Sequence, residues 1–159
     1  MPGGHIYCLD TVAAGAMAKR YKAKTVLIIE DETDIQNFVS RVLELDGYNV
    51  LRAKDARTGM EIIRENPVAL VLLDLCLPGP DGWSVLRAIK SNPQFSAIPV
   101  VVLTAIAESL QRRRTLRMGA DSYLIKPLSA HSLSKAVASV MRQGRRKYET
   151  VQKSTGSLD

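Results

Sequence analysis

From Thr25 onward the chain alternates short apolar runs with longer stretches whose apolar residues recur at helical spacing. "TVLII" (25–29) is β-branched and aliphatic, which predicts a strand. In "DETDIQNFVSRVLELDGY", Ile35, Phe38, Val39, Val42 and Leu43 fall at i, i+3, i+4, i+7 and i+8. That spacing predicts a helix with one apolar face, capped by an Asp or Thr and stopped by Gly47. The alternation then repeats. "NVLRA" (49–53) predicts a strand, and 56–66 a helix with Met60, Ile62 and Ile63, ended by Pro67. "ALVLL" (69–73) predicts a strand, and 82–91 a helix carrying Val85, Leu86 and Ile89. "PVVVLT" (99–104) is a strand followed by a helix over 109–118. "SYLIK" (122–126) is a strand followed by a helix over 132–142 with Leu133, Val137, Val140 and Met141.

Five strands alternating with five helices define an α/β fold. The strands are apolar on both faces, so they predict a doubly wound parallel sheet with helices on each side. In such open sheets ligands collect at the carboxyl ends of the strands. Composition agrees: 159 residues with 46% hydrophobic and 24% charged suit one ordinary domain with a real core. No apolar run reaches the length of a membrane span. Residues 5–18 lack the basic leader of a signal peptide and contain Asp10, so the chain is expected to be cytoplasmic. Cys8 and Cys76 form no spacing motif for a disulfide framework or a zinc site.

Charge changes the picture of the ends. Residues 1–24 hold four Lys/Arg and one acid, residues 142–159 hold five and two, and the 117 residues between hold 13 of each. The net +6 therefore belongs to the termini, not to the body of the fold. The expected organisation is a flexible N-terminal extension over 1–23, a domain over 24–143 and a polar basic tail over 144–159. A neutral body argues against a duplex-reading domain, although nucleic-acid binding through the basic ends is the rival function.

Chemistry gathers where the strands end. The first is followed by Glu30–Asp31, the third ends at Asp74, the fourth at Thr104 and the fifth at Lys126–Pro127. A parallel sheet brings these to one rim although they lie up to 96 positions apart. Three carboxylates at one rim repel unless positive charge intervenes. A hard divalent cation such as Mg²⁺ takes one or two carboxylates, with waters and phosphate oxygens completing the octahedron. Lys126 adds an ammonium and Thr104 a hydroxyl. There is no Ser–His or Cys–His pair. The set suits stabilisation of a transferring phosphoryl group, and a carboxylate can itself be the nucleophile.

The stretches "VLIIEDE" (26–32), "DLCLPGPDG" (74–82), "VVLTA" (101–105) and "GADSYLIKP" (119–127) together resemble the receiver domain of two-component response regulators over about residues 24–143. The resemblance implies a five-stranded sheet in the order 2-1-3-4-5. It implies that Asp74 accepts a phosphoryl group from a sensor histidine kinase or a histidine phosphotransfer protein. It implies Mg²⁺ (or Mn²⁺) held by Asp31, Asp74 and the backbone carbonyl of Cys76, with Glu30 acting through water. Lys126, Thr104 and Ala105 would meet the phosphate. Tyr123 would move inward with Thr104, linking the site to the surface of the fourth helix, fifth strand and fifth helix. Pro127 would follow a cis peptide bond. Such a protein is a switch, not an enzyme on other substrates, and acts on a separate protein target. The surface just named is also one through which two copies could pair.

Only sixteen residues follow 143, too short and polar for an attached output domain, so a stand-alone receiver is expected. An Asp-nucleophile phosphohydrolase is a further rival, but the second carboxylate such enzymes place two residues beyond the nucleophile is here Cys76. In the receiver family that position and the one two residues after Thr104 flank the path of the hydrolytic water. Cys76 and Ile106 cannot orient a water as an amide or carboxylate would, which implies slow self-dephosphorylation. In "QRRRTLR" (111–117), Arg113 and Arg117 are like charges at i, i+4. They read either as a solvated helix face or as a docking site for an acidic protein. Trp83 reads as packing or partner recognition, and the isolated His5 and His131 as surface or capping residues.

Overall fold

The computed structural model describes residues 23–155. Five strands alternate with five helices: β1 (Thr25–Ile29), α1 (Thr33–Leu45), β2 (Asn49–Ala53), α2 (Ala56–Glu65), β3 (Leu70–Asp74), α3 (Gly82–Ser91), β4 (Val100–Thr104), α4 (Ser109–Arg117), β5 (Ser122–Ile125) and α5 (Ala130–Thr155). The strands form one parallel sheet in the order β2-β1-β3-β4-β5.

The three central strands are apolar on both faces because each face meets its own core. Neighbouring residues along a strand point to opposite sides. Leu27, Ile29, Val71, Leu73, Val100 and Val102 join one cluster with Ala56 and Ile63 of α2 and Val85, Leu86 and Ile89 of α3. Val26, Ile28, Leu70, Leu72, Val101 and Leu103 join the other, with Val39, Val42 and Leu43 of α1 and Leu133, Val137, Val140 and Met141 of α5. The helices leaving β1 and β3 therefore cover opposite faces. The two strands are neighbours, so a crevice opens between their carboxyl ends, where such sheets bind ligands.

Some details depart from the sequence pattern. α1 begins after Glu32, whose side chain caps nothing, so no Asp or Thr cap forms. The stop is Gly47, at φ +89°, a left-handed conformation that a glycine adopts without steric cost. Phe38, expected on the buried stripe of α1, is 40% exposed. It lines an open hollow shared with Ile35, Lys126 and Leu128. α5 continues from the expected 132–142 to Thr155, so residues 144–155, expected as a polar tail, are helical. No proline interrupts that stretch, and its Arg, Gln, Lys and Glu residues are good helix formers. Residues 1–22 and 156–159, which hold most of the expected extension and the end of the expected tail, lie outside the described residues. Among the described residues no helix is long and apolar enough to cross a membrane.

Candidate functional site: an acidic cluster and one lysine

Asp74 is the last residue of β3 and only 2% exposed. An unpaired carboxylate buried this deeply would be costly. Both of its oxygens are engaged: the Cys76 backbone N–H donates to Oδ1 (2.9 Å), and Lys126 Nζ donates to Oδ2 (3.1 Å). The turn that returns the chain to α3 is pressed against it. The Gly82 N–H donates to the Leu75 carbonyl, and a Cβ at Gly82 would lie 2.2 Å from the Asp74 carbonyl oxygen and 2.5 Å from Leu75 Cα. Both obstacles are backbone, so only glycine fits there.

Glu30 follows β1 and is fully buried. Its Oε1 accepts from the Glu32 N–H (3.1 Å), while Oε2 lies 2.8 Å from Lys126 Nζ in a direction that makes no hydrogen bond. Burial raises the Glu30 carboxyl to about 7, against the lowering effects of Lys126 and the Glu32 amide; the Asp74 charge pushes it further up. For Lys126, burial works against the ammonium, but its close pairing with Glu30 and the charges of Asp74 and Glu30 prevail, and its pKa is raised. The acidic turn is fixed from beneath by a residue the sequence pattern did not single out. Gln36 is buried and donates Nε2 to the carbonyls of Glu30 (3.1 Å) and Ala53 (3.0 Å). Its only signal is a polar side chain among the inward positions of α1.

Asp31 is exposed, yet carboxylate oxygens of Glu30, Asp31 and Asp74 all lie within 4.8 Å of one another. Three clustered carboxylates, two of them paired with Lys126, with a buried Glu30 oxygen that accepts no hydrogen bond, are a donor set suited to a hard divalent cation.

The remaining sequence candidates flank this centre. Thr104, fully buried at the end of β4, accepts at Oγ1 from the Ile106 N–H (3.2 Å). The Lys126 N–H donates to the Thr104 carbonyl (2.8 Å), and the Lys126–Pro127 peptide is cis. The Tyr123 hydroxyl donates to the Ile106 carbonyl, and burial raises its pKa. Ala105 lies on the rim, in a hollow of about 550 Å³ lined also by Glu32, Ile35, Phe38, Lys126 and Leu128. One contact the sequence did not reveal lies beyond the acidic turn, where the Arg114 guanidinium stacks over the Trp83 ring, 4.5 Å from its centroid.

This crevice sets acids, a lysine and a hydroxyl at the ends of a 2-1-3-4-5 parallel sheet, which defines a doubly wound α/β domain, and comparison with known proteins places it. The model of the response regulator receiver domain matches residues 26–138, and the chain belongs to that family of two-component signalling proteins. The phosphate regulon transcriptional regulatory protein PhoB of Klebsiella pneumoniae is 37% identical over 121 residues, covering 76% of this chain and 53% of that protein. The probable transcriptional regulator ycf27 of Porphyridium aerugineum is 33% identical over 118 residues, covering 74% and 48%. The chain thus spans about half the length of these curated relatives. Among solved structures, a CheY-like receiver domain protein from Methanospirillum hungatei superposes with a TM-score of 0.74 at 25% identity, covering 79% of this chain and 99% of that one. NtrX from Brucella abortus superposes at 0.77 with 28% identity, covering 82% and 29%.

Proposed function

We propose that this chain is a phosphorylation switch in which Asp74 is the acceptor. An Asp74 carboxylate oxygen attacks the phosphorus of a phosphohistidine on a sensor kinase or phosphotransfer protein. The P–N bond breaks, the imidazole leaves with a proton, and an acyl phosphate forms. Lys126 is placed to meet the phosphate oxygens, and the Thr104 hydroxyl and Ala105 N–H complete the donors once they turn inward. Asp31, Asp74 and the Cys76 carbonyl would hold Mg²⁺, with Glu30 acting through water. The ion would offset the repulsion among the acids and draw charge from the phosphoryl oxygens. The hollow beside Lys126, with Ile35, Phe38 and Leu128 on its walls, would give the donor protein an apolar seat.

Phosphorylation adds about −1.5 to −2 charges at one point. Thr104 and Tyr123 hold the same residue, Ile106, one at its N–H and the other at its carbonyl. A Thr104 hydroxyl drawn to phosphate releases the Ile106 N–H and frees the loop that enters α4. The switched surface is then α4–β5–α5, through which a separate protein is controlled. The transcriptional role in the names of PhoB and ycf27 belongs to those longer proteins.

The observation that carries this reading is a buried carboxylate held between a backbone N–H and a lysine, with two further carboxylates beside it. The test is phosphoryl uptake from radiolabelled acetyl phosphate. Uptake should need Mg²⁺ and vanish in Asp74→Asn. Equal uptake by Asp74→Asn, or uptake undiminished by EDTA, would overturn it.

A further inference from the structure

α4 is seated more loosely than its neighbour α3. Of its nine residues only Thr115 is buried. The stripe it turns inward is Gln111, Thr115 and the following Met118, two of them polar. The Thr115 hydroxyl donates to the Gln111 carbonyl (2.8 Å), so the one buried side chain spends its hydrogen bond within its own helix. α3, by contrast, buries Gly82, Val85, Leu86 and Ile89. An element with so little apolar burial is held weakly in any one position.

Charge pushes the two helices apart. Arg87, Lys90 and Ser91 of α3 line a groove with Arg114 of α4 and the following Met118. Asp121 balances Lys90 (3.2 Å), but Arg87 and Arg114 enter no ion pair among the described residues. Asp81 is the acid whose charge reaches both, and its Oδ1 is committed to the Ser84 N–H and hydroxyl. Glu108, just before α4, acts with its charge on Tyr123 instead. Against this repulsion stands the Trp83 ring, with the Arg114 guanidinium 4.5 Å from its centroid. Trp83 is itself half-buried against the core on that side of the sheet.

The two partners of the stack ride on parts of the fold with different freedom. Trp83 follows Gly82, which is wedged against the Asp74 carbonyl and Leu75 Cα, so the turn that carries the acceptor also carries the ring. Arg114 rides on α4, and the loop entering α4 is held at Ile106 by Thr104 and Tyr123. A cation keeps its attraction to a ring out to about 6 Å from the centroid, so a shift of α4 by roughly 1.5 Å away from α3 exhausts it.

We propose that Arg114 and Trp83 form a clasp that holds α4 in its unphosphorylated position and must open before the switched conformation forms. A contact made in one of two conformations favours that one, and its loss shifts the population towards the other. Coupling between two sites is reciprocal, so a change that opens the clasp also eases phosphorylation of Asp74. The clasp regulates the switch proposed above and rests on that reading.

The test uses the full chain and two readouts: the initial rate of phosphoryl uptake from radiolabelled acetyl phosphate with Mg²⁺, and hydrogen exchange of the α4 amides without donor. Arg114→Gln and Trp83→Leu should each speed uptake, by roughly two- to five-fold for an exposed stack. Each should also speed exchange across α4 while β3 stays protected. The double variant should be no faster than the faster single one, since either change opens the same clasp. Arg114→Lys, which keeps the cation, should restore most of the wild-type rate. A merely structural contact would instead lower uptake along with stability. Single variants at or below the wild-type rate, unchanged exchange in α4, effects that multiply in the double variant, or Arg114→Lys as fast as Arg114→Gln would overturn the proposal. Absent uptake in the wild type would refute the switch and the clasp's regulatory role with it, whereas normal wild-type uptake with unchanged variants refutes the clasp alone.

Discussion

Lys126 Nζ lies 3.1 Å from Asp74 Oδ2, which pairs two residues that are 52 positions apart and both largely buried. The same ammonium lies 2.8 Å from Glu30 Oε2. One lysine therefore balances two buried acids. Removing one member of a buried ion cluster leaves uncompensated charge, which costs about 3 kcal/mol or more. Lys126→Met should lose about that much stability in EDTA by urea unfolding, and added Mg²⁺ should restore part of it. A variant as stable as the wild type would show that the lysine does not balance the acids.

Gly82 tests how tightly the turn holds Asp74. An alanine there meets the Asp74 carbonyl and Leu75 Cα, neither of which is a side chain that can swing away. Overpacking of this kind costs roughly 1–3 kcal/mol. Gly82→Ala should lower the urea midpoint and also slow phosphoryl uptake, because the shift falls on the acceptor's own peptide. Lost stability with unchanged uptake would separate the turn from the site.

Asp81 caps α3. Its carboxylate accepts from the Ser84 N–H (2.9 Å) and the Ser84 hydroxyl (2.8 Å), bonds that hold its pKa below the usual carboxylate range. Such a depressed acid adds stability that is whole above its unfolded value of about 3.9 and is lost as pH falls through the lower folded value. Asp81→Ala should cost about 1 kcal/mol at neutral pH. The gap to wild type should hold down to that unfolded value and shrink below it. Asp81→Asn, which still caps, should recover most of the loss. A gap unchanged into strong acid would contradict the assignment.

Cys76, two residues after Asp74, and Ile106, two residues after Thr104, are both solvent-accessible, and neither side chain offers an amide or carboxylate to orient an attacking water. The acyl phosphate should therefore persist for minutes or longer at neutral pH, followed by loss of radiolabel after removal of donor. Cys76→Asn should shorten its life several-fold. A wild-type lifetime of seconds would contradict this.

Much of the fold was legible because physics writes it twice. Val26–Ile29, Leu70–Leu73 and Val100–Leu103 are apolar at every position, which only a strand covered on both faces tolerates, and helix-length crossovers then force parallel order. The meeting of Glu30, Asp31, Asp74 and Lys126 follows from that order, since each comes at or just after the carboxyl end of a strand. Other features depend on what surrounds an element, and periodicity does not carry that. Phe38 has the spacing of a core residue, but it lines the open hollow beside Lys126. Gln111 and Thr115 give no sign of facing inward, because polar residues mark an outer face by default. Gly82 reads as an ordinary turn glycine, and only three-dimensional contact shows the Asp74 carbonyl against it. The Arg114–Trp83 stack joins two helices whose sequences carry no mark of each other.

The central claim is that one particular carboxyl group takes the phosphoryl. Borohydride reduces an acyl phosphate to an alcohol and leaves free carboxylates intact. Treating the protein with acetyl phosphate and Mg²⁺, then borohydride, and mapping peptides by mass spectrometry reads the site directly. The account predicts homoserine at position 74 and unreduced acids at Glu30 and Asp31. Reduction at either of those residues with Asp74 untouched, or at none of the three, would contradict it.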